Sequence, residues 1–251
     1  MKKILIIGAG AMGSAFSIPC LENKNDVSLI GTFLENDLIK SLKEKNNYHP
    51  ALDINLPKHL NIERHDQLGK LTQDAVDVIV AGISSIGIEW FAKEISKFYK
   101  KKTSIILLTK GLAVENDHLI TLSEKLENIL KKNGHEEINI SSVKGPCLAS
   151  GLAHKMRTST VIANENIKKA QKIQNLISTE YYKCEITDDV PGVEFSSAIK
   201  NIYSMLIGAA EGLSNPTAPI EVQKKFTPKL SKNTKKKILD GWKHAINQTL
   251  V

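Results

Sequence analysis

"IIGAGAMGSA", residues 6–15, closes a short apolar run that begins at Lys3. Gly8, Gly10 and Gly13 in it have the spacing G-x-G-x-x-G. "KILIIG" reads as a first strand, and Met12 to Asn23 as the helix after it, with Pro19 straining its middle. "DVSLIG" (26–31) is the next strand. In that setting each glycine has a physical purpose. Gly8 permits the tight turn, Gly10 lets the backbone approach a pyrophosphate, and Gly13 lets the helix pack closely on the sheet. The helix start adds free N–H groups and a partial positive charge. The stretch therefore predicts a dinucleotide site at the first strand–helix turn. An acid or a basic group at the end of the second strand would separate NAD from NADP. The sequence there is "LIGTFLEND" (29–37). Gly31, Thr32 and Phe33 give neither signal and Glu35 comes late, so NAD or NADP both stay open.

The same alternation continues. "VDVIVAG" (76–82), "SIILLT" (104–109) and "INISSV" (138–143) read as strands. Residues 88–100 and 116–132 read as amphipathic helices. In the second, Leu119, Leu122, Leu126, Ile129 and Leu130 fall on one face; Asn116 or Asp117 would cap its start and Gly134 would end it. This is the pattern of an α/β fold, a Rossmann-type doubly wound sheet with helices on both faces. From Pro191 the pattern changes to one long helical stripe over 193–213, with Phe195, Ala198, Ile199, Ile202, Leu206, Ala209, Ala210 and Leu213 on it. The expected organisation is a dinucleotide-binding domain over 1–190, followed by a shortened, mainly helical second domain. Residues 191–214 form the first helix of that domain, and 215–251 a basic linker with a short amphipathic tail helix around Trp242.

The net charge of the 251-residue chain is +7. Residues 222–251 alone carry eight lysines against Asp240, so the body is neutral. A neutral body argues against specific nucleic-acid binding. No apolar run is long enough to span a membrane, and the opening "MKKILIIG" is too short in its apolar part for a secretory signal. Cys20, Cys147 and Cys184 are odd in number and widely spaced, which fits neither a disulfide framework nor a zinc site. The seven histidines have no metal-ligand spacing, so no metal is expected. A reducing cytoplasm is the expected location.

Three further stretches belong with the glycine turn: "LLTKGL" (107–112), "VKGPCLASGLA" (143–153) and "DDVPGVEFSSAIKNIYSMLIGAAEGLS" (188–214). In their order and spacing the four segments resemble bacterial NAD(P)-dependent glycerol-3-phosphate dehydrogenase, over roughly residues 1–214. The resemblance implies hydride transfer between NAD(P)H and dihydroxyacetone phosphate, supplying glycerol 3-phosphate for phospholipid synthesis. It implies that Lys200 in "AIKN" is the catalytic lysine that donates or accepts the proton. Lys110 in "TKG" would lie near both cofactor and substrate. Asn201, Gly145 and Cys147 match substrate positions; Ala11, Met12, Thr32 and Ala149 match cofactor positions. Cys147 departs from the family's Ser or Thr, and a thiol is the weaker hydrogen-bond partner.

The resemblance ends near Ser214, where family members continue with further helices and an arginine-containing segment that grips the substrate phosphate. The chain has two arginines, Arg64 and Arg157, neither in such a place. A second expectation therefore stands beside the enzyme: a truncated cofactor-binding remnant with little or no turnover. The apolar stripe of residues 195–213 also calls for a cover, either the tail or a second copy of the chain in a homodimer.

Overall fold

The computed structural model describes residues 1–214. The expected linker and the tail helix around Trp242 lie outside the described residues. The first unit is β1 (Lys3–Ile7), α1 (Ala11–Glu22) and β2 (Asp26–Ile30). Next come α2 (Asn36–Glu44), a small hairpin of β3 (Tyr48–His49) and β4 (Ile54–Asn55), then β5 (Asn61–Glu63) and α3 (Leu68–Leu71). The second half runs β6 (Val78–Ala81), α4 (Ile88–Ser96), β7 (Ser104–Leu107), a hairpin of β8 (Leu112–Glu115) and β9 (His118–Thr121), and α5 (Leu122–Lys132). It ends with β10 (Ile140–Lys144), α6 (Ala149–Ala153), β11 (Thr158–Ala163), α7 (Ile167–Ile177), β12 (Tyr182–Thr187) and α8 (Val190–Ser214).

Eight strands form one sheet in the order β12-β11-β10-β7-β6-β1-β2-β5. From β5 to β10 every neighbouring pair is parallel. The doubly wound order reverses between β1 and β6, which places a crevice at the carboxyl ends of those two strands. β11 then pairs antiparallel with β10, and β12 parallel with β11. The apolar strands bury both faces. One core holds Phe16, Leu29, Ile39 and Ile106 with α1, α2 and α7; the other holds Phe91, Ile95, Leu126 and Leu130 with α4 and α5. α1 passes through Pro19 to Glu22 without breaking.

The helix expected from residue 116 starts instead at Leu122. Asn116 and Asp117 both have positive φ, 51° and 62°, and turn the β8–β9 hairpin. Such a conformation favours Asn and Asp. Leu119 therefore sits on a strand, 40% exposed, and not on the helix face. The true cap is Thr121, whose Oγ1 accepts the Glu124 N–H at 3.1 Å. Thr121-x-x-Glu124 is the spacing of a capping box.

α8 is anchored by a carboxylate. Glu194 is fully buried. Its Oε2 accepts the N–H groups of Leu122 (2.9 Å) and Ser123 (3.3 Å), the first two residues of α5. Its Oε1 accepts the Ser142 hydroxyl of β10. The acid thus satisfies donors that α5 cannot use itself, at the helix end where negative charge is favoured. Beyond this joint α8 turns outward: Tyr203, Met205, Leu206 and Ile207 are all exposed. We expect Glu194→Ala to lower stability by roughly 2–4 kcal/mol, since it leaves buried donors without an acceptor. Urea unfolding of the two proteins measures this, and an unchanged midpoint would show that the joint carries no load.

Candidate functional site

The glycine turn contains two packing positions and one open one. Gly8 has φ +108°, and a Cβ on it would stand 2.5 Å from the Gly82 carbonyl oxygen at the end of β6. A Cβ on Gly13 would stand 2.1 Å from the Gly8 carbonyl oxygen. Neither space admits a methyl group. A Cβ on Gly10 would meet nothing nearer than Glu35 Oε1 at 3.7 Å. Gly10 is also the N-cap of α1, and no side chain caps that helix. Its first N–H groups, at Ala11 and Met12, therefore face the crevice without an internal acceptor. An open glycine over an uncapped helix start fits the pyrophosphate of a dinucleotide.

Side chains hold Ala9, between the first two glycines, from both sides. Its carbonyl accepts the Ser14 hydroxyl at 2.9 Å and lies 3.0 Å from His49 Nε2. A carbonyl only accepts, so His49 carries its proton on Nε2 there. His49 is buried and comes from the β3–β4 hairpin. The Ala9 N–H donates to Glu35 Oε2 at 3.1 Å, and the same oxygen accepts the Thr32 N–H at 2.7 Å. The sequence leaves Glu35 a little late for the end of the second strand and reads His49 as a structural or surface residue. The intervening chain folds both back to the turn.

Lysines gather next to this crevice. Lys110 follows β7, is half-buried, and donates to the Gly145 carbonyl at 3.5 Å. Burial lowers its pKa, the Lys200 charge lowers it further, and Cys147 opposes both. Met12, Lys110, Gly145 and Cys147 line one narrow gap together with Thr160 and Tyr182. A neighbouring cavity of about 480 Å³ is lined by Lys144, Gly145, Asp189, Ser196, Ser197 and Lys200, among others. The two spaces share Gly145, where a Cβ would stand 2.9 Å from the Ser159 carbonyl oxygen. Glycine here lets β10 end in close contact with β11.

Of the residues singled out in the sequence, Met12, Lys110, Gly145, Cys147 and Lys200 come together around these two spaces. Ala11 and Ala149 pack at the facing starts of α1 and α6, against one core. Asn201, exposed on α8, lines neither space. Burial pushes the Cys147 thiol pKa up, with a Thr158 hydrogen bond and Lys110 opposing.

Lys144 is a further residue that the sequence did not single out. It is 3% exposed, and its Nζ donates to the Leu107 carbonyl at 2.7 Å. Burial brings its pKa from 10.5 down to about 8; Glu194 raises it and Lys110 lowers it. A lysine so perturbed beside a cavity is a mark of functional sites. Its only sequence signal is a charge ending an apolar strand.

The sequence matches the family described as NAD-dependent glycerol-3-phosphate dehydrogenase N-terminus over residues 3–170. The chain belongs to this family. It is 32% identical over 209 residues to the NADP(+)-dependent glycerol-3-phosphate dehydrogenase of Archaeoglobus fulgidus, covering 83% of this chain and 60% of that one. It is 30% identical over 216 residues to the glycerol-3-phosphate dehydrogenase [NAD(P)+] of Clostridium botulinum (strain Alaska E43), covering 85% and 61%. The chain thus spans about 60% of the length of these relatives. The crystal structure of glycerol-3-phosphate dehydrogenase from Coxiella burnetii superposes with a TM-score of 0.69 at 24% identity, covering 85% of this chain and 62% of that one. The enzyme of the same name from Plasmodium falciparum gives 0.72 at 22%, covering 86% and 60%. Both share the fold.

Two outcomes follow from this geometry. Gly13→Ala lowers stability by roughly 1–3 kcal/mol through overpacking, whereas Gly10→Ala unfolds like the parent but binds NADH more weakly; equal NADH affinity would remove the pyrophosphate from Gly10. Lys144 makes stability depend on pH. Between pH 8 and 10.5 the unfolded chain holds a proton that the folded chain has released, so stability rises with pH. Relative to Lys144→Met, the parent should gain on the order of 3 kcal/mol across that window, read from denaturation midpoints at each pH.

Proposed function

We propose that this chain takes part in the interconversion of sn-glycerol 3-phosphate and dihydroxyacetone phosphate with NAD(H) or NADP(H). The observation that carries the reading is that Lys110 and Lys200 line two adjoining spaces that share Gly145, near enough for the Lys200 charge to lower the Lys110 pKa. Ala11 and Met12 present the N–H groups for the pyrophosphate, Thr32 lies on the ribose side, and Ala149 borders the nicotinamide side. The cofactor, when bound, supplies or accepts the hydride at the substrate carbon.

In the reductive direction, negative charge develops on the ketone oxygen. Lys200 Nζ donates a proton to that oxygen and is left as the neutral amine; in the oxidative direction it takes the hydroxyl proton. Lys110 stabilises the oxygen and the substrate phosphate by its charge. Its depressed pKa reflects burial and the nearby Lys200. Gly145 and Cys147 complete the substrate contacts; Asn201, exposed on α8 and outside both spaces, is left out of them. Lys144 lines the same cavity and adds a third cation to a site meant for a doubly charged phosphate. No helix among the described residues is long and apolar enough to cross a membrane. The exposed apolar face of α8 at Tyr203, Leu206 and Ile207 supports self-association as a homodimer.

A second reading has its own support. The chain spans about 60% of its relatives, so dinucleotide binding without turnover is the alternative. One experiment separates the two: NADH and NADPH oxidation followed at 340 nm with dihydroxyacetone phosphate, alongside cofactor titration. Turnover that disappears in Lys200→Ala, with NADH affinity within about twofold of the parent, is the expected result. Wild-type turnover in Lys200→Ala would overturn the proton assignment, and binding without turnover in the parent would select the second reading.

A further inference from the structure

The loop after β2 contains no cation: residues 31–36 read Gly-Thr-Phe-Leu-Glu-Asn. Its one charged residue, Glu35, is the N-cap of α2, yet its side chain makes no capping bond to that helix. It reaches across to the glycine turn. One carboxylate oxygen, Oε2, takes both the Ala9 and the Thr32 N–H groups. Those bonds tie the end of β2 to the turn after β1, and they fix the plane of the carboxylate. The other oxygen, Oε1, is the nearest atom to the open face of Gly10. Among the described residues no lysine or arginine forms an ion pair with Glu35.

A dinucleotide whose pyrophosphate lies at Gly10 must carry its adenosine ribose to the end of β2. The ribose hydroxyls are donors, and Oε1 is an acceptor with no competing partner. A ribose 2′-phosphate in the same place would bring further negative charge against an anchored carboxylate, with no cation in the loop to offset it. We propose that Glu35 selects the dinucleotide: its carboxylate receives the adenosine ribose hydroxyls and excludes a 2′-phosphate, so that this chain prefers NAD(H) to NADP(H). The inference rests on the dinucleotide reading of the site. Neither the position in sequence nor the family assignment carries it; the folded-back path of residues 31–35 does.

The test is equilibrium binding, which requires no turnover. The full chain is titrated with NADH and with NADPH, followed by nicotinamide fluorescence. NADH should bind at least about tenfold more tightly, the scale of a hydrogen bond to a charged group. Glu35→Gln keeps an acceptor for the two N–H groups but removes the charge, so it should tighten NADPH binding and bring the ratio toward one. Should Glu35→Gln fail to fold, the parent and the 2′-deoxyadenosine analogue of NADH decide. The analogue should bind several-fold more weakly than NADH. Equal affinity of the parent for NADH and NADPH, or preference for NADPH, overturns the selection by Glu35 while leaving the dinucleotide site standing. An analogue bound as tightly as NADH overturns the hydroxyl contact. Binding of neither dinucleotide overturns the site itself and this inference with it.

Discussion

Three pieces of backbone meet with no room for a side chain between them. Gly8 ends β1, Gly82 ends β6, and Gly13 sits in the first turn of α1. A methyl group on Gly13 or Gly82 would press α1 away from the strand ends, and one on Gly8 would press against the chain after β6. Because none of the three carries one, the start of α1 lies flush with the carboxyl ends of both strands. The crevice at the reversal of strand order, the unpaired N–H groups and the exposed face of Gly10 all follow from that contact. The side chains around it keep the turn in shape without filling the crevice: Ser14 and His49 on the Ala9 carbonyl, Glu35 on the Ala9 N–H. None of the three caps α1.

A second joint connects this half of the molecule to the lysines. Glu194 is buried against the start of α5 and the Ser142 hydroxyl of β10. Its charge also lifts the pKa of Lys144, which burial alone would depress further. One acid therefore docks α8, caps α5 and partly offsets the cost of a buried ammonium group. Lys110 and Lys200 belong to distant parts of the chain, and this joint allows them to feel each other's charge.

Much of this was legible in the sequence, for reasons that can be located. Parallel strands buried on both faces are short apolar runs, and 3–7, 78–81 and 104–107 stand out as such. The glycine spacing gives the first turn its function because its requirements are local. The hairpin at 112–121 was hidden because Leu119 falls in phase with the helix that follows; the capping pair Thr121 and Glu124 was the available signal. Glu194 and Lys144 could not be read at all as buried groups. What satisfies the buried Glu194 carboxylate includes a pair of N–H groups some seventy residues away, and what buries Lys144 is the packing of the chain around the end of β10. Glu35 read as a little late for the end of β2, which left the cofactor preference open, because the distance along the chain is not the distance across a turn.

The antiparallel pairing of β11 with β10 fixes the direction from which α8 arrives. β11 starts beside the end of β10, β12 runs alongside β11, and Thr187 at its end pairs with Ala163, which in turn pairs with Ser142. α8 therefore begins low on the sheet and climbs toward the carboxyl ends of the parallel strands. Glu194 marks its level at Ser142, and six residues later, after about 9 Å of rise, Lys200 is level with the end of β10. The helix between them works as a ruler with an angular as well as a linear scale. One residue added or removed between 194 and 200 would turn Lys200 about 100° around the axis and away from Lys110, although every residue type in the site would still be present.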